Sequence, residues 1–170
     1  AEKDVLSLIN GSPAASALVA DTALAAQARL EIAVEIFALA AEAFNTPLSH
    51  FAPELGELWN NPHDAWALAK LNEAIGKGHD GPRRPYQAPV SFRILPRMLG
   101  QARRAERLAA EVANESLAAI TDNPVMLAPD QEHANGRMIS TGGYHNPHAV
   151  MAMDAVTAAS VNLITIAGRL

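Results

Sequence analysis

The sequence predicts an all-α protein built as a bundle of long helices. Hydrophobic residues make up 49% of the 170 residues but aromatic residues only 5%, so the apolar content is mainly Ala, Leu, Val and Ile. Alanine has the highest helix propensity, and its small side chain lets neighbouring helices pack closely. Tyr, Phe and Thr are too sparse for an all-β core. Apolar residues also recur every three or four positions over two long stretches, which is the period of a helix.

The first long helix is predicted over residues 14–44. One apolar stripe includes Leu18 and Phe37, and a second includes Leu24 and Ile36. The helix is therefore apolar on much of its circumference, and we expect it to contact several neighbours.

A short helix or turn is predicted over residues 53–59. Asn61 and Pro62 then resemble a helix start, with Asn61 as the N-cap and Pro62 at the first helical position, and this helix runs to Ile75. The glycines and prolines of residues 76–89 predict a polar loop, and loops of this length between helices are often functional or mobile.

The second long helix is predicted over residues 91–120. Pro96 lies near its beginning, so we expect either an early start after Arg93 or a kink. Its apolar side is formed by Leu95, Leu99, Ala102, Ala105, Ala109, Val112 and Leu117.

The chain after this helix is predicted to form a small β-hairpin and a last helix. Residues 125–127 and 137–140 can pair, with Asn135-Gly136 at the turn. The last helix begins near Pro147 or His148. It is apolar but contains Asp154 and Asn162, which favours a helix inside a protein bundle over a membrane span.

Charge and cysteine content exclude several kinds of protein. The formal net charge is −5, which argues against nucleic-acid binding. Four arginines, Arg97, Arg103, Arg104 and Arg107, alternate with glutamates and are predicted to form a solvated helix face. The absence of cysteine excludes disulfides and thiolate metal sites and permits a reducing, cytoplasmic location.

Three groups of polar residues are candidates for function, and each has a simpler explanation. Residues 8–12 could form only a capping turn, with Ser12 as the N-cap of the first long helix. Arg93 could bind a carboxylate through a two-pronged charge-assisted bond, or be an ordinary surface cation. His145 and His148 are three residues apart, as metal ligands on a helix can be. Pro147 makes that geometry unfavourable, so no metal site is predicted, and His145 is expected to line a loop or a site.

Read in order, four segments resemble motifs of the aromatic amino acid lyase family, which includes histidine and phenylalanine ammonia-lyases. Residues 8–12 (Leu-Ile-Asn-Gly-Ser) resemble its L-x-N-G-[ST] segment. Residues 87–100 resemble Q-D-x-Y-S-x-R followed by P-Q-x-x-G. Residues 121–124 (Thr-Asp-Asn-Pro) match T-D-N-P, and residues 140–145 are similar to S-G-G-N-F-H. Each motif is weak alone, but together they cover the chain in the right order.

The resemblance implies a long-helix bundle of the ammonia-lyase (fumarase/aspartase-like) type and a homotetramer whose active sites combine several subunits. It also implies a prosthetic group, 4-methylidene-imidazol-5-one (MIO), made from an Ala-Ser-Gly triplet. This electrophile makes ammonia a leaving group, and the product is an α,β-unsaturated acid. Asn10 would lie beside the prosthetic group, Gln87 in the site loop and Tyr144 on the aromatic wall. Arg93 would bind the substrate carboxylate.

The sequence departs from the family in two respects. It contains no Ala-Ser-Gly triplet, which the family places upstream of the Asn10 segment. We therefore expect residues 1–170 to be the central segment of a larger lyase-like domain, incomplete at both ends and inactive alone. Val90 also stands where the family has a tyrosine, and Ala88 where it has an aspartate. Valine supplies neither a proton nor a hydrogen bond.

We accordingly predict a cytoplasmic ammonia-lyase acting on an aromatic amino acid, with histidine favoured by Ser91. The expected partners are that amino acid, the rest of the protein and further copies of it, with no nucleic acid and no membrane. An aminomutase on the same scaffold is one alternative. A helical assembly protein that has lost the chemistry is the other, and Val90 favours it.

Overall fold

The computed structural model describes residues 9–76 and 81–170, together with Val5. Leu8 of the first motif and Gly78 of the predicted loop lie outside the described residues. The helices are α1 (Pro13–Ala43), a 3-10 helix (Leu48–Phe51), α2 (Glu54–Trp59), α3 (Pro62–Ile75), α4 (Val90–Arg93), α5 (Leu95–Ala118) and α6 (Pro147–Ala167). Two strands, β1 (Val125–Leu127) and β2 (Arg137–Ile139), form the hairpin. The all-α prediction, including its small hairpin, is confirmed.

Helix α1 has the predicted length, and part of its predicted stripe is buried, since Phe37 is 2% exposed. At the beginning of the helix the buried face is shifted by one residue. Val19 is fully buried, whereas Leu18 is 58% exposed. The second stripe, with Leu24 and Ile36, is also exposed in the single chain. Ser12 is the N-cap residue of α1, as the capping-turn interpretation expects, but its hydroxyl is buried and makes no hydrogen bond within the described part of the chain.

Helix α3 begins as its sequence predicts. The Asn61 side chain accepts hydrogen bonds from the backbone N–H groups of His63, at 3.0 Å, and Asp64, at 3.4 Å. These two bonds satisfy donors that the first turn of a helix leaves unpaired. Pro62 occupies the first helical position, where the missing N–H costs nothing.

The second long helix is divided in two by Pro96. Helix α4 ends at Arg93, Ile94 forms the junction, and α5 begins at Leu95. Proline interrupts the helix because it has no N–H and its ring clashes with the carbonyl four residues earlier. Leu117, placed by sequence on the apolar side, is 62% exposed.

The predicted solvated arginine face is only partly correct. Arg97 Nη1 lies 2.6 Å from Oδ2 of the buried Asp64, and Arg103 Nη1 lies 2.7 Å from Oε2 of the buried Glu106. Arg104 is exposed, as predicted. Half of the face therefore neutralises buried carboxylates, because a carboxylate removed from water requires a charged or hydrogen-bonding partner.

Helix α5 is the centre of the bundle and packs against α1, α3 and α6. Its buried face includes Leu95, Leu99 and Ala109, none of which is exposed. Helices α1 and α5 run antiparallel, since the beginning of α1 contacts Thr121, just beyond the end of α5. The two ends of the bundle are therefore separated by α5, whose 24 residues span about 36 Å.

The hairpin pairs Val125 with Ile139 and Leu127 with Arg137. The predicted turn is displaced: Asn135 and Gly136 lie at the end of a longer connection, residues 128–136, instead of forming a two-residue turn. The Asp130 side chain explains this, because its Oδ1 accepts hydrogen bonds from two backbone N–H groups within the connection.

Candidate functional site

The segment carrying Asn10 is attached to the end of α5 by Gly11 and Ser12. The Ser12 N–H donates to Thr121 Oγ1 at 3.0 Å. Gly11 has φ +97°, and a Cβ added there would lie 2.7 Å from Thr121 Oγ1. Only glycine suits this position, because the left-handed conformation and the close approach both exclude a side chain. Asn10 is thereby placed at the beginning of α1.

The loop carrying Tyr144 is attached to the same region by Asn123. Asn123 Oδ1 accepts hydrogen bonds from the Thr141 N–H at 2.7 Å and the Ser140 hydroxyl at 3.3 Å. Within the loop, the Gly143 N–H donates to Thr141 Oγ1 at 2.9 Å. These bonds define the path of the chain immediately before Tyr144.

Asn10 and Tyr144 meet at a pocket of about 320 Å³. Its lining residues are Ile9, Asn10, Gly11, Asn123 and Tyr144. A volume near 300 Å³ is at the lower end of small-molecule sites. Two residues nominated from sequence are thus brought together across more than a hundred positions of chain. Asn123 was missed, although it belongs to the Thr-Asp-Asn-Pro motif and that motif could have indicated it.

Gln87 and Arg93 lie at the other end of the bundle. Gln87 is exposed in the loop before α4, and Arg93 is half-buried at the end of α4. The Phe92 ring beside Arg93 stacks on Phe44, after the end of α1, with centroids 4.5 Å apart. Val90 is 57% exposed at the beginning of α4. This end of the bundle therefore contains Gln87 of the predicted site loop and Arg93, the candidate for carboxylate binding, but not Asn10.

Arg93 has an unsatisfied donor. Its Nε is buried and has no hydrogen-bond partner in the described part of the chain. Buried donors in folded proteins are almost always paired, so an orphaned guanidinium nitrogen indicates a missing acceptor. A carboxylate is the acceptor that a guanidinium binds best.

His50 connects the 3-10 helix to the Gln87 loop. Its Nε2 accepts a hydrogen bond from the Ala88 N–H at 3.0 Å, and Ala88 is buried. Burial, and then the charge of Arg93, lower the pKa of His50 from its usual 6.5. The neutral imidazole is the form that accepts this bond, because both ring nitrogens of a protonated histidine are donors.

The sequence-nominated residues therefore form two half-sites at opposite ends of α5. Asn10 and Tyr144 form one, and Gln87, Val90 and Arg93 the other. About 36 Å of helix separates them, which is far longer than an amino acid. A single copy of the chain does not bring them together. Among the described residues, no group of three His, Asp or Glu is placed to bind a metal.

Comparison with known proteins assigns the whole chain to the family that its motifs resemble. The family model described as aromatic amino acid lyase matches residues 1–170. The chain is 32% identical over 176 residues to a histidine ammonia-lyase of Streptomyces coelicolor, covering 99% of the chain and 33% of that protein. It is 30% identical to those of Sorangium cellulosum, over 175 residues, and Symbiobacterium thermophilum, over 171 residues. These matches cover 99% and 98% of the chain, and 34% and 32% of the two proteins.

The chain thus spans about a third of the length of the relatives it matches. The motifs that form the two half-sites lie within this matched region, and the helical architecture agrees with the family expected from them. On this evidence, the chain belongs to the aromatic amino acid lyase family.

Proposed function

We propose that the protein is a histidine ammonia-lyase-like enzyme, which eliminates ammonia from an aromatic amino acid, histidine first, to give an α,β-unsaturated acid. The structural observation that carries the proposal is Arg93, at the position of the family's carboxylate-binding motif: its buried Nε has no acceptor among the described residues. The three relatives compared above are named histidine ammonia-lyases, which supports histidine over other substrates.

The two half-sites support an active site shared between copies. In this proposal Arg93 holds the substrate carboxylate and Gln87 lies in the site loop. Asn10 and Tyr144, from another copy, form the facing wall. The exposed apolar residues of α1 and α6 would be covered in such an assembly, which we propose to be a homotetramer.

The residues beside Asn10 fit a small planar prosthetic group such as MIO. An asparagine amide offers both a donor and an acceptor to a carbonyl-bearing ring, and Tyr144 adds an aromatic face. MIO, when bound, supplies the electrophile that makes ammonia a leaving group. The sequence holds no Ala-Ser-Gly triplet, so we propose that another part of a longer polypeptide provides it. Residues 1–170 would then be the central segment of a larger domain and inactive alone.

We also propose a cytoplasmic protein with neither nucleic acid nor membrane as a partner. The net charge of −5 opposes nucleic-acid binding. Helix α6 is the one described helix long and apolar enough to cross a membrane. Its Asn162 side chain donates to Gln101 of α5 at 3.0 Å, and Asp154 lies on the same helix. Both features suit a helix inside an assembly of proteins.

The test uses the full-length protein. We expect an ultraviolet difference band from MIO that borohydride abolishes, and release of ammonia from histidine in preference to phenylalanine or tyrosine. A β-amino acid product would assign an aminomutase instead. A well-folded oligomer with neither the band nor ammonia release would contradict the lyase proposal.

A second candidate, a helical assembly protein without chemistry, is favoured by Val90. Valine has no hydroxyl to contribute to proton transfer, and its side chain is 57% exposed at the beginning of α4. If valine is the lesion, Val90→Tyr raises ammonia release in the full-length protein, whereas Val90→Phe, which lacks the hydroxyl, does not. Equal rates for the two variants would contradict that explanation.

A further inference from the structure

Residues 121–123 attach two separate site segments to the end of α5. On one side, Thr121 Oγ1 accepts the Ser12 N–H, two residues after Asn10. On the other, Asn123 Oδ1 accepts the Thr141 N–H, three residues before Tyr144. Thr121 and Asn123 are two positions apart, so two parts of the chain far apart in sequence depend on one short connection.

The Thr121 contact leaves little room for the segment to move. The Gly11 backbone approaches Thr121 so closely that a Cβ there would lie 3.1 Å from the Thr121 carbonyl oxygen. A Cβ on Gly143 would lie 3.5 Å from the Thr121 Cα, so the Tyr144 loop touches the same residue. Both segments thus pack on Thr121, and one of them is also hydrogen-bonded to it.

Asn123 supplies a hydrogen-bond acceptor that the hairpin ladder does not provide. Strand β2 ends at Ile139, and the Thr141 N–H lies beyond the ladder. A backbone donor outside secondary structure needs a side chain or water as acceptor. Asn123 supplies the acceptor, and its backbone N–H donates to Asp122 Oδ1 at 2.7 Å, which restrains its own position.

We propose that Thr121 and Asn123 are positioning residues that hold Asn10 and Tyr144 as one wall of the active site. This proposal rests on the proposed function for its catalytic consequence, but its structural content does not. Thr121 sets the Asn10 segment, and Asn123 sets the Tyr144 loop. Loss of either bond loosens one segment and leaves the other in place.

Hydrogen exchange of backbone amides in the full-length protein tests the proposal without reference to activity. Thr121→Val keeps the shape of the side chain and removes the acceptor, and Thr121→Ser keeps the hydroxyl. We expect exchange in residues 9–12 to become about tenfold faster in the valine variant and unchanged in the serine variant. Asn123→Leu should accelerate exchange in residues 140–144 by a similar factor but not in residues 9–12.

Exchange in the interior of α5, near Val112, shows whether each variant remains folded. If Thr121→Val also loosens α5, Asn123→Leu decides the proposal through residues 140–144. The proposal is overturned if both variants loosen α5, if neither changes its own segment, or if both segments loosen equally in each variant.

Kinetic measurements give a second test, and they distinguish failure of the proposed lyase function from failure of the positioning proposal. If wild-type protein releases ammonia, Thr121→Val should lower kcat by about tenfold to a hundredfold, because small displacements of site residues are costly. KM should change less, since Arg93, which holds the substrate carboxylate in the proposal, belongs to the other half-site, and Thr121→Ser should restore kcat. An unchanged kcat overturns the catalytic consequence. Wild-type protein without activity contradicts the proposed function, and the exchange result then decides the structural proposal.

Discussion

Arg93 and His50 give the Gln87 half-site its electrostatic character. Arg93 is half-buried, its Nε has no partner among the residues that the structure describes, and its charge helps to lower the pKa of His50. His50 in turn accepts a bond from Ala88, next to Gln87. Because His50 is neutral, Arg93 alone gives this half-site a positive charge that could attract a carboxylate. His50 holds the Gln87 loop through its bond to Ala88 without adding a second positive charge.

Under the proposed function, replacement of Arg93 should weaken substrate binding in the full-length protein. Arg93→Lys keeps the charge but loses the planar, two-pronged donor set, so we expect KM for histidine to rise about tenfold, and further in Arg93→Ala. Arg84→Lys is the matched control, because Arg84 is exposed nearby and donates to the Phe44 carbonyl. Unchanged kinetics in Arg93→Ala would remove this residue from the site.

The lowered pKa of His50 predicts a pH-dependent stability. The unfolded chain binds this proton at a higher pH than the folded chain, so the free energy of unfolding rises with pH between the two pKa values. The contribution is complete above about pH 6.5 and is lost as the pH falls through the lowered pKa. The free energy of unfolding can be measured by denaturant titration at several pH values across this range. It should change less with pH in His50→Gln than in wild type.

His148→Gln is the control for this experiment, because His148 is exposed at the beginning of α6. It should retain the wild-type pH dependence. If the free energy of unfolding changes equally with pH in the wild type and the His50 variant, the bond to Ala88 does not depend on the charge of His50.

Among the secondary-structure elements, α3 and α5 approach each other closely at Gly100. Asp64 is 3% exposed and pairs with Arg97, one turn before Gly100 on α5. A Cβ on Gly100 would overlap Asp64 Oδ1 and lie 3.0 Å from the Asp64 Cα. Glycine is present in the middle of this helix because it allows the two backbones to approach.

Gly100→Ala should therefore destabilise the protein although alanine is the better helix former. Overpacking costs about 1–3 kcal/mol, which exceeds the gain of about 1 kcal/mol in helix propensity. Gly142→Ala is the control, because nothing lies within 4 Å of a Cβ added there. Thermal or denaturant unfolding measures both variants. A more stable Gly100→Ala variant would show that Asp64 can move aside.

For the whole molecule, apolar exposure is large on two helices. Ile36 and Leu39 on α1 are 52% and 71% exposed, and Val161 and Ile164 on α6 are 56% and 73% exposed. Soluble proteins rarely leave such faces in water, so we expect other copies or the remaining polypeptide to cover them.

A charge on these faces should disrupt the proposed tetramer. We expect Ile36→Glu and Ile164→Glu each to shift full-length protein to smaller species, measured by analytical ultracentrifugation, because an unpaired charge in an apolar interface costs several kcal/mol. Gln131→Glu adds the same charge in the exposed hairpin connection and should remain tetrameric. Unchanged mass in both α1 and α6 variants would contradict an interface on these faces.

The sequence alone determined the helical class, most element boundaries and the family motifs. Helix periodicity, the Asn61–Pro62 start and the break at Pro96 are local effects, which depend on residues within a few positions of one another. The nomination of Asn10, Gln87, Arg93 and Tyr144 also required only the order of the motifs. Their catalytic roles remain predictions.

The tertiary structure decided which of these residues meet. Antiparallel packing of α1 on α5 brings the Asn10 segment to Thr121, and Asn123 brings in the Tyr144 loop. The same packing leaves Arg93 at the far end of α5. It also pairs Arg97, which the sequence pattern placed on a solvated face, with the buried carboxylate of Asp64. Contacts across a hundred residues depend on how helices pack, and periodicity within one helix carries no information about that.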